Sequence, residues 1–595
     1  MTTARRLLRS RWRVVVAVST GLLAYLVTGP LGLTDRYENF VITTVAIYSI
    51  VTLSVSELAG LSGIWSVGHM SFVAIGAYSV AYFSSRGLAL PLIVLFAMAA
   101  AAAVGFLVGM TAGRFEVLYL AILTLALALV ADEVIGRWVA VTGGDQGTAV
   151  TPIRILGQRL TLDVITGLSI GTAAVVFVIT DLAAQARWGR RWLAVKNQRT
   201  ASVAIGLNPA VENATAFAAS AALAAVAGVL LALQIGYISP AFFSLTNAIN
   251  FVVASVVGGV GSIAGAVLGA SFIVVLPEAA RGARDLQVIV FGVITIAVLL
   301  IVPEGIVPGL IRRGASLAGL RWRKPAPAAA GGDRVGGPSE VAEWLAGRRR
   351  AETAELVVEK VSVQFGGLTA LQDVRLRVAP GEVVALIGPN GAGKTTFLNV
   401  LGGFVRPVKG AVVRFGGHDL RAASAQRRAR IGIGRTFQHA ELFGELSVLD
   451  TVTLAAGSQR RRRDEAPAAI AGATLDVLRL AAYSGERPGS LPFGIQKRVD
   501  IARALATGPS LIVMDEPFSG LDLNEQEQLH ELILAFRKAG ISVLLVDHAV
   551  QEVLSLADRV YVLDYGRLIA HGSPDDIRRS DAVKEAYFGK VERSA

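Results

Sequence analysis

EVVALIGPNGAGKTTFLNVL, Glu382–Leu401, decides the fold of the second half of this chain. The apolar run before Gly388 has the length of a buried strand, and the run after Lys394 reads as a helix. Between them, Gly388–Thr396 fits G-x-x-x-x-G-K-[ST] in the strand–loop–helix context that a phosphate-binding loop requires. Gly388, Gly391 and Gly393 let the backbone curl so that N–H groups point inward. Lys394 is placed to reach the β- and γ-phosphates of a nucleotide, and Thr395 to ligate Mg²⁺. The helix N-terminus adds a favourable field for the anion. Asn390 and Thr396 complete the expected nucleotide-binding set. A chance glycine-rich turn would not come with both flanks.

Downstream, LIVMDEP (511–517) is an apolar strand ending in two carboxylates. Alone, such a run is most often a plain strand end. After a phosphate loop it is the expected second nucleotide motif: Asp515 holds Mg²⁺, mostly through water, and Glu516 polarises the attacking water as general base. VVALIG, LIVMDE and SVLLVDH alternate with helical stretches, so the segment from about Ala354 onward reads as a soluble α/β domain.

The first half is different in kind. Over 595 residues the chain is 53% hydrophobic and only 17% charged, and its mean hydropathy is +0.56. Soluble domains carry about a quarter charged residues, so part of the chain belongs in lipid. The absence of cysteine excludes disulfides and thiolate metal sites. The net charge of +12 is distributed as arginine clusters at Arg5, Arg6, Arg9, Arg11 and Arg13, around 187–199 and around 312–324, each beside an apolar run. That pattern fits a positive-inside membrane topology better than nucleic-acid binding, and no nucleic-acid partner is expected. The N-terminal stretch is not read as a cleaved signal peptide, because more apolar segments follow and no small-residue cleavage site stands out.

Apolar runs lie near 14–33, 40–59, 66–83, 89–112, 116–132, 163–184, 212–236, 248–276 and 287–303. Most match a hydrocarbon core of roughly 30 Å. The basic stretch 187–199 and both ends of this half should face the cytoplasm. Parity then requires VVGGVGSIAGAVLGA (256–270) to break its run into two short helices, which the glycines permit where protein buries the backbone. The expectation is about eight to ten helices. KPAPAAAGGDRVGGPSE (324–340) is rich in Pro, Ala and Gly and reads as a flexible linker. The expected organisation is a membrane domain over 1–320, a linker over 321–353 and the α/β domain, with a helical subdomain, over 354–595.

Residues 354–595 resemble the ATPase of ABC transporters, whose further landmarks occur in order. The resemblance makes Phe365 in VQFGG the aromatic that stacks on adenine, although a core aromatic on a strand would look the same. It makes Gln438 in RTFQ a ligand of Mg²⁺ and water that senses the membrane domain, SGLD (519–522) a contact across an ATPase dimer, and His548 in VDHAV the switch that touches the γ-phosphate. SLPFGIQKRVDIARAL (490–505) stands where the ABC signature belongs, and Gly494 matches the glycine that faces the partner's ATP. Pro492 replaces the usual serine and Phe493 a glycine. Proline is comfortable at a helix start, and the lost hydroxyl is worth about 1.5–3 kcal/mol to an anion. The signature is expected to be tuned rather than dead.

The membrane half, in 60–81, 206–232, 256–270 and 302–309, is similar to permeases of the branched-chain amino acid uptake family. RTFQHAELFGELSVLDTV (435–452) is similar to the ATPases of the same systems. This resemblance implies an importer half that uses ATP and Mg²⁺. Its implied partners are a second permease and second ATPase (different subunits or a second copy), an extracytoplasmic binding protein and the bilayer. Its implied location is the bacterial cytoplasmic membrane, with the ATPase in the cytoplasm. The implied substrate is a branched-chain or other apolar amino acid, with urea, short amides or small carboxylates as alternatives and an exporter half as a more distant one. LAVKNQRTASVAIG (193–206) fits the cytoplasmic coupling helix of importers, although it lacks the acidic residue that the family pattern carries near Arg199. Gly261, Gly265 and Gly269 read equally as a packing stripe or a cavity lining. His69, Glu57 and Asp132 are candidates at membrane depth. TGGDQG (142–147) reads as a loop outside the cytoplasm.

Overall fold

The computed structural model describes residues 35–112, 117–155, 158–279, 287–310, 338–346, 354–458 and 465–588. The apolar run at 14–33 and the arginine clusters at the N-terminus and at 312–324 lie outside them. The chain divides into two compact units, one of residues 1–192 with 209–323 and the other of residues 193–208 with 324–595.

Among the described residues, the first unit contains nine helices of at least fourteen residues: Arg36–Ser62, His69–Ser84, Leu90–Ala112, Val117–Arg137, Leu162–Gln185, Pro209–Ile235, Leu245–Gly258, Ile263–Ala279 and Gln287–Ile301. Among the described residues, five spans are long and apolar enough to cross a membrane: Arg36–Ser62, Leu90–Thr111, Leu162–Gln185, Pro209–Ile235 and Pro240–Gly258, the last including the 3₁₀ turn before Leu245. The run expected at 66–83 is only the 16-residue helix His69–Ser84, about 24 Å long at 1.5 Å per residue. The long run at 248–276 is broken as expected, between Leu245–Gly258 and Ile263–Ala279. Gly259 and Gly261 take φ of 111° and 72° there, conformations costly for any residue with a Cβ. The Ser56 hydroxyl accepts a hydrogen bond from the Gly261 N–H at 2.8 Å, so the break is satisfied internally.

Small residues set the spacing of this bundle. Gly76 and Gly228 lie against the backbones of Ala225 and Val73, so helices His69–Ser84 and Pro209–Ile235 approach to main-chain contact. The stripe that had two readings divides: Gly265 and Gly269 pack against Gly258 and Ala254, whereas Gly261 serves the turn. His69 is 2% exposed. Its Nε2 lies 2.7 Å from Ser220 Oγ, which donates onward to Ser54 O at 2.7 Å. His69 therefore ties three helices together. Asp132 is exposed, Glu57 is half-buried, and the 142–147 segment forms a short 3₁₀ turn at Gly144–Gln146.

The second unit is built on a six-stranded sheet of β1 (Val383–Ile387), β2 (Ile433–Arg435), β3 (Leu511–Asp515), β4 (Ser542–Val546), β5 (Arg559–Asp564) and β6 (Arg567–Gly572). Its spatial order is β2-β3-β4-β1-β5-β6, parallel except for the β5–β6 hairpin. β1, β3 and β4 are buried along their whole length, as expected for strands covered on both faces. A four-stranded antiparallel sheet, Leu368–Val378, Leu356–Phe365, Val412–Phe415 and His418–Asp419, completes the α/β body. Helices Val448–Gly457 and Pro467–Val477 pack with Phe493–Ala506 as the helical subdomain.

One part of the expected linker is ordered. Pro338–Ala346 forms a helix whose Val341 and Leu345 are 1% and 4% exposed within the core of the second unit. The i, i+4 spacing of these residues puts both on one face, which packs against helices Leu523–Lys538 and Pro467–Val477. The remainder of 321–353 lies outside the described residues.

Candidate functional site

The phosphate loop turns from β1 into helix Lys394–Gly402. Gly388 leaves no room for a Cβ beside the Leu563 carbonyl, whereas Gly391 faces open space. Lys394 is buried, and its Nζ donates to Gly388 O at 2.6 Å and Pro389 O at 2.9 Å. Burial depresses its pKa, and the carboxylates of Glu516, Asp515 and Asp547 work against that shift. Asn390 and Thr395 are exposed and Thr396 is half-buried around the same loop.

β3 delivers Asp515 and Glu516. Asp515 is 7% exposed. Burial raises its carboxyl above the ordinary range, and Arg435, with Nη2 at 3.9 Å from Oδ2, opposes the shift. Arg435 also donates to Asn399 Oδ1 at 3.1 Å, linking β2 to the phosphate-loop helix. Glu516 has φ of 45°, a left-handed conformation that costs a residue with a Cβ on the order of 1–3 kcal/mol and persists only where the surroundings enforce it.

Two residues far apart in sequence, Gln438 and His548, meet at the Glu516 carboxylate. Gln438 Nε2 donates to Oε2 at 2.8 Å, and His548 Nδ1 lies 3.6 Å from the same oxygen. Asp547, fully buried at the end of β4, accepts from the backbone N–H groups of Phe518, His548 and Ala549 and so fixes the turn that presents His548. The arrangement can orient a water beside a carboxylate base and place an imidazole next to it. Phe365 stands 51% exposed at the end of its strand rather than in the core. Gly494 is buried in the first turn of helix Phe493–Ala506, with Pro492 at the N-cap. No hydrogen bond or ion pair links Phe365 or Gly494 to the Glu516 group among the described residues.

The sequence reading missed Arg435, Lys497, Asp500, Arg503 and Asp547. Arg435 and Asp547 are buried charges at the ends of short apolar strands, which was the available signal for those two.

Residues 193–208 complete the second unit. Ala201, Ile205 and Leu207 join one core with Phe437, Phe443 and Leu446. Lys196 Nζ meets Glu445 Oε1 at 2.8 Å, Arg430 Nη2 donates to Gly206 O at 3.0 Å, and Thr200 hydrogen-bonds the Glu441 carboxyl. Both acidic groups come from the 441–445 loop.

A phosphate loop, a strand ending in Asp-Glu and a glutamine and histidine converging on that glutamate define an ATP-binding cassette ATPase. Comparison with known proteins extends this. Residues 39–302 match the profile of the branched-chain amino acid transport system permease component, 371–519 that of the ABC transporter, and 567–593 that of the branched-chain amino acid ATP-binding cassette transporter. The high-affinity branched-chain amino acid transport ATP-binding protein LivG of Escherichia coli K12 is 36% identical over 251 residues, 40% of this chain and 98% of LivG. BraF of Pseudomonas aeruginosa, of the same description, is 34% identical over 251 residues, again 40% of this chain and 98% of BraF. A solved ATP-binding cassette of an ABC transporter in its ADP conformation shares 29% identity over 40% of this chain and 99% of its own, with a TM-score of 0.36. The chain belongs to the branched-chain amino acid ABC transporter family, with permease and ATP-binding cassette fused in one polypeptide.

Nucleotide and Mg²⁺ can be tested against the residues present. The open face at Gly391 and the buried ammonium of Lys394 suit a polyphosphate. Among the described residues, no group of three or more His, Cys, Asp or Glu side chains is arranged to hold a metal. Mg²⁺ at phosphate sites takes only one or two protein ligands beside water and phosphate oxygens, and the oxygens of Asp515 and Thr395 are donors of that kind.

Proposed function

We propose that this chain is one half of an importer that uses ATP to carry branched-chain or other apolar amino acids across the bacterial cytoplasmic membrane. The permease occupies 1–320 and the cytoplasmic ATPase 354–595. The other half is a second permease and a second ATPase, and an extracytoplasmic protein delivers the substrate. The observation that carries the reading is the meeting of Gln438, His548 and Glu516 beside the phosphate loop, in a chain whose other half matches a permease profile.

In this reading Phe365 stacks on adenine, and Gly388, Asn390, Gly391 and Gly393 face the phosphates with Lys394 and Thr396. Thr395, Gln438 and Asp515 would hold Mg²⁺, which would neutralise charge on the bound phosphates. Lys394 leaves the carbonyls of Gly388 and Pro389 to pair with phosphate. Glu516 accepts the proton of the attacking water, Gln438 holds that water against Glu516, and His548 steadies the γ-phosphate. Gly494 acts on the ATP of the opposing cassette. The 193–208 segment conveys cassette movement to the permease through Lys196, Thr200 and Gly206.

The test is uptake of labelled leucine into liposomes holding the assembled transporter and its binding protein. The expected result is accumulation that requires ATP on the cassette side. Transport of urea or a short amide with leucine excluded, or leucine uptake without ATP, would overturn the assignment.

A further inference from the structure

Helix Phe493–Ala506 carries three buried charged residues at i, i+3 and i+6: Lys497, Asp500 and Arg503, at 6%, 2% and 1% exposure. Charges so deeply buried are expensive, and an apolar side chain would fill the same space at less cost. What they bond to is therefore informative. Lys497 Nζ donates to Glu516 O at 2.7 Å and to Pro517 O at 3.3 Å. Asp500 Oδ2 accepts from the Phe437 N–H at 2.9 Å, one residue before Gln438. Arg503 clamps Asp500 Oδ1 through Nη2 at 2.6 Å and Nε at 3.0 Å, and Nη2 also donates to Arg435 O at 3.0 Å. Each of these hydrogen bonds goes to main chain at 435–437 or 516–517, or to another member of the stripe.

Glu516 needs such support. Its N–H donates to Val546 O at 2.7 Å, and Lys497 takes its carbonyl, so both ends of a left-handed peptide are pinned. The ring of Phe493 lies 5.4 Å from Lys497 Nζ and also abuts Gly520 in the 519–522 loop. The residue that departs from the glycine pattern thus touches both the lysine and the loop that follows Glu516.

We propose that the signature helix is a positioning element for the catalytic pair of its own chain. Lys497 fixes the Glu516 main chain in its left-handed conformation, and Asp500, held by Arg503, fixes Phe437 and hence Gln438. One helix thus helps to set both backbones whose side chains meet. Lys497 lies one turn from Gly494 on the same helix. This rests on the reading of Glu516 as the base.

Hydrogen exchange on the full-length chain in lipid tests it with Lys497→Met, Asp500→Leu and Asp500→Asn. One charge-assisted hydrogen bond corresponds to roughly tenfold or more in a local opening equilibrium. Lys497→Met is expected to speed exchange over 515–519 by about tenfold and leave 435–440 and the 388–396 loop unchanged. Asp500→Leu is expected to do the converse. Asp500→Asn keeps an acceptor for the Phe437 N–H and restores protection. In the assembled transporter, Lys497→Met should lower kcat by about tenfold with KM for ATP unchanged. Unchanged exchange at 515–519 in Lys497→Met, or a rise spread evenly over the cassette, overturns the proposal. Glu516→Gln separates the two readings: retained hydrolysis there removes the base assignment, while the exchange pattern still reports on Lys497.

Discussion

Replacing Arg435 with methionine asks how much the second unit depends on a charge held behind the Mg²⁺ ligand. The Arg435 side chain is 7% exposed and pairs with Asp515 at 3.9 Å. It also donates to Asn399 Oδ1 at 3.1 Å and Leu398 O at 3.4 Å. Methionine fills most of the volume, so the loss is electrostatic. Breaking a buried pair and leaving the other charge behind costs roughly 3–5 kcal/mol. The lower end applies here, because the separation is long and Lys394 also acts on Asp515. For a domain of this size about 3 kcal/mol corresponds to a fall of roughly 6–12 °C in the cassette melting transition. The double variant Arg435→Met/Asp515→Asn removes the stranded charge and should recover about 1–3 kcal/mol relative to additivity. The assay is thermal melting of full-length protein in lipid without nucleotide, for the wild type, both single variants and the double. Strictly additive losses would mean that Arg435 and Asp515 do not interact, and the electrostatic account of Asp515 would fail.

Two further outcomes follow from local geometry. A Cβ at Gly494 displaces the Glu525 carboxylate, which caps helix Leu523–Lys538 together with Asp522. The helix-propensity gain of Gly494→Ala and the cap loss are each about 1 kcal/mol and should cancel, whereas in a Glu525→Ala background the same change should raise the melting point. Equal effects in both backgrounds would contradict the contact. Ile205 is 0% exposed, so Ile205→Ala should cost about 2–5 kcal/mol of local packing. It should speed trypsin cleavage at the already exposed Arg199 by loosening the segment, with ATP binding unchanged, and unaltered cleavage would show that the segment is held by other means.

The phosphate loop, the Asp-Glu strand and the order of the later motifs were legible because their chemistry requires fixed residues at short spacing. The break at Gly259–Gly261 was legible from parity and glycine alone. The Lys497–Asp500–Arg503 stripe was not, since its partners are main-chain atoms on other elements and sequence carries no sign of them. The helix Pro338–Ala346 was hidden by the Pro-Gly-Ala composition of the residues before it, although Val341 and Leu345 at i, i+4 carried the signal. The docking of 193–208 was read from its position, but its acidic partners Glu441 and Glu445 lie some 240 residues further on, about as far as local pattern is from informative.

The most direct test of the account is the rate of ATP hydrolysis by the lipid-reconstituted transporter, compared between the wild-type chain and Glu516→Gln. A general base contributes about 10²–10⁴-fold, so hydrolysis at the site built on Lys394 should fall by that factor while ATP still binds. Wild-type hydrolysis at that site in Glu516→Gln would contradict the claim that this cassette powers transport through the Gln438–Glu516–His548 group.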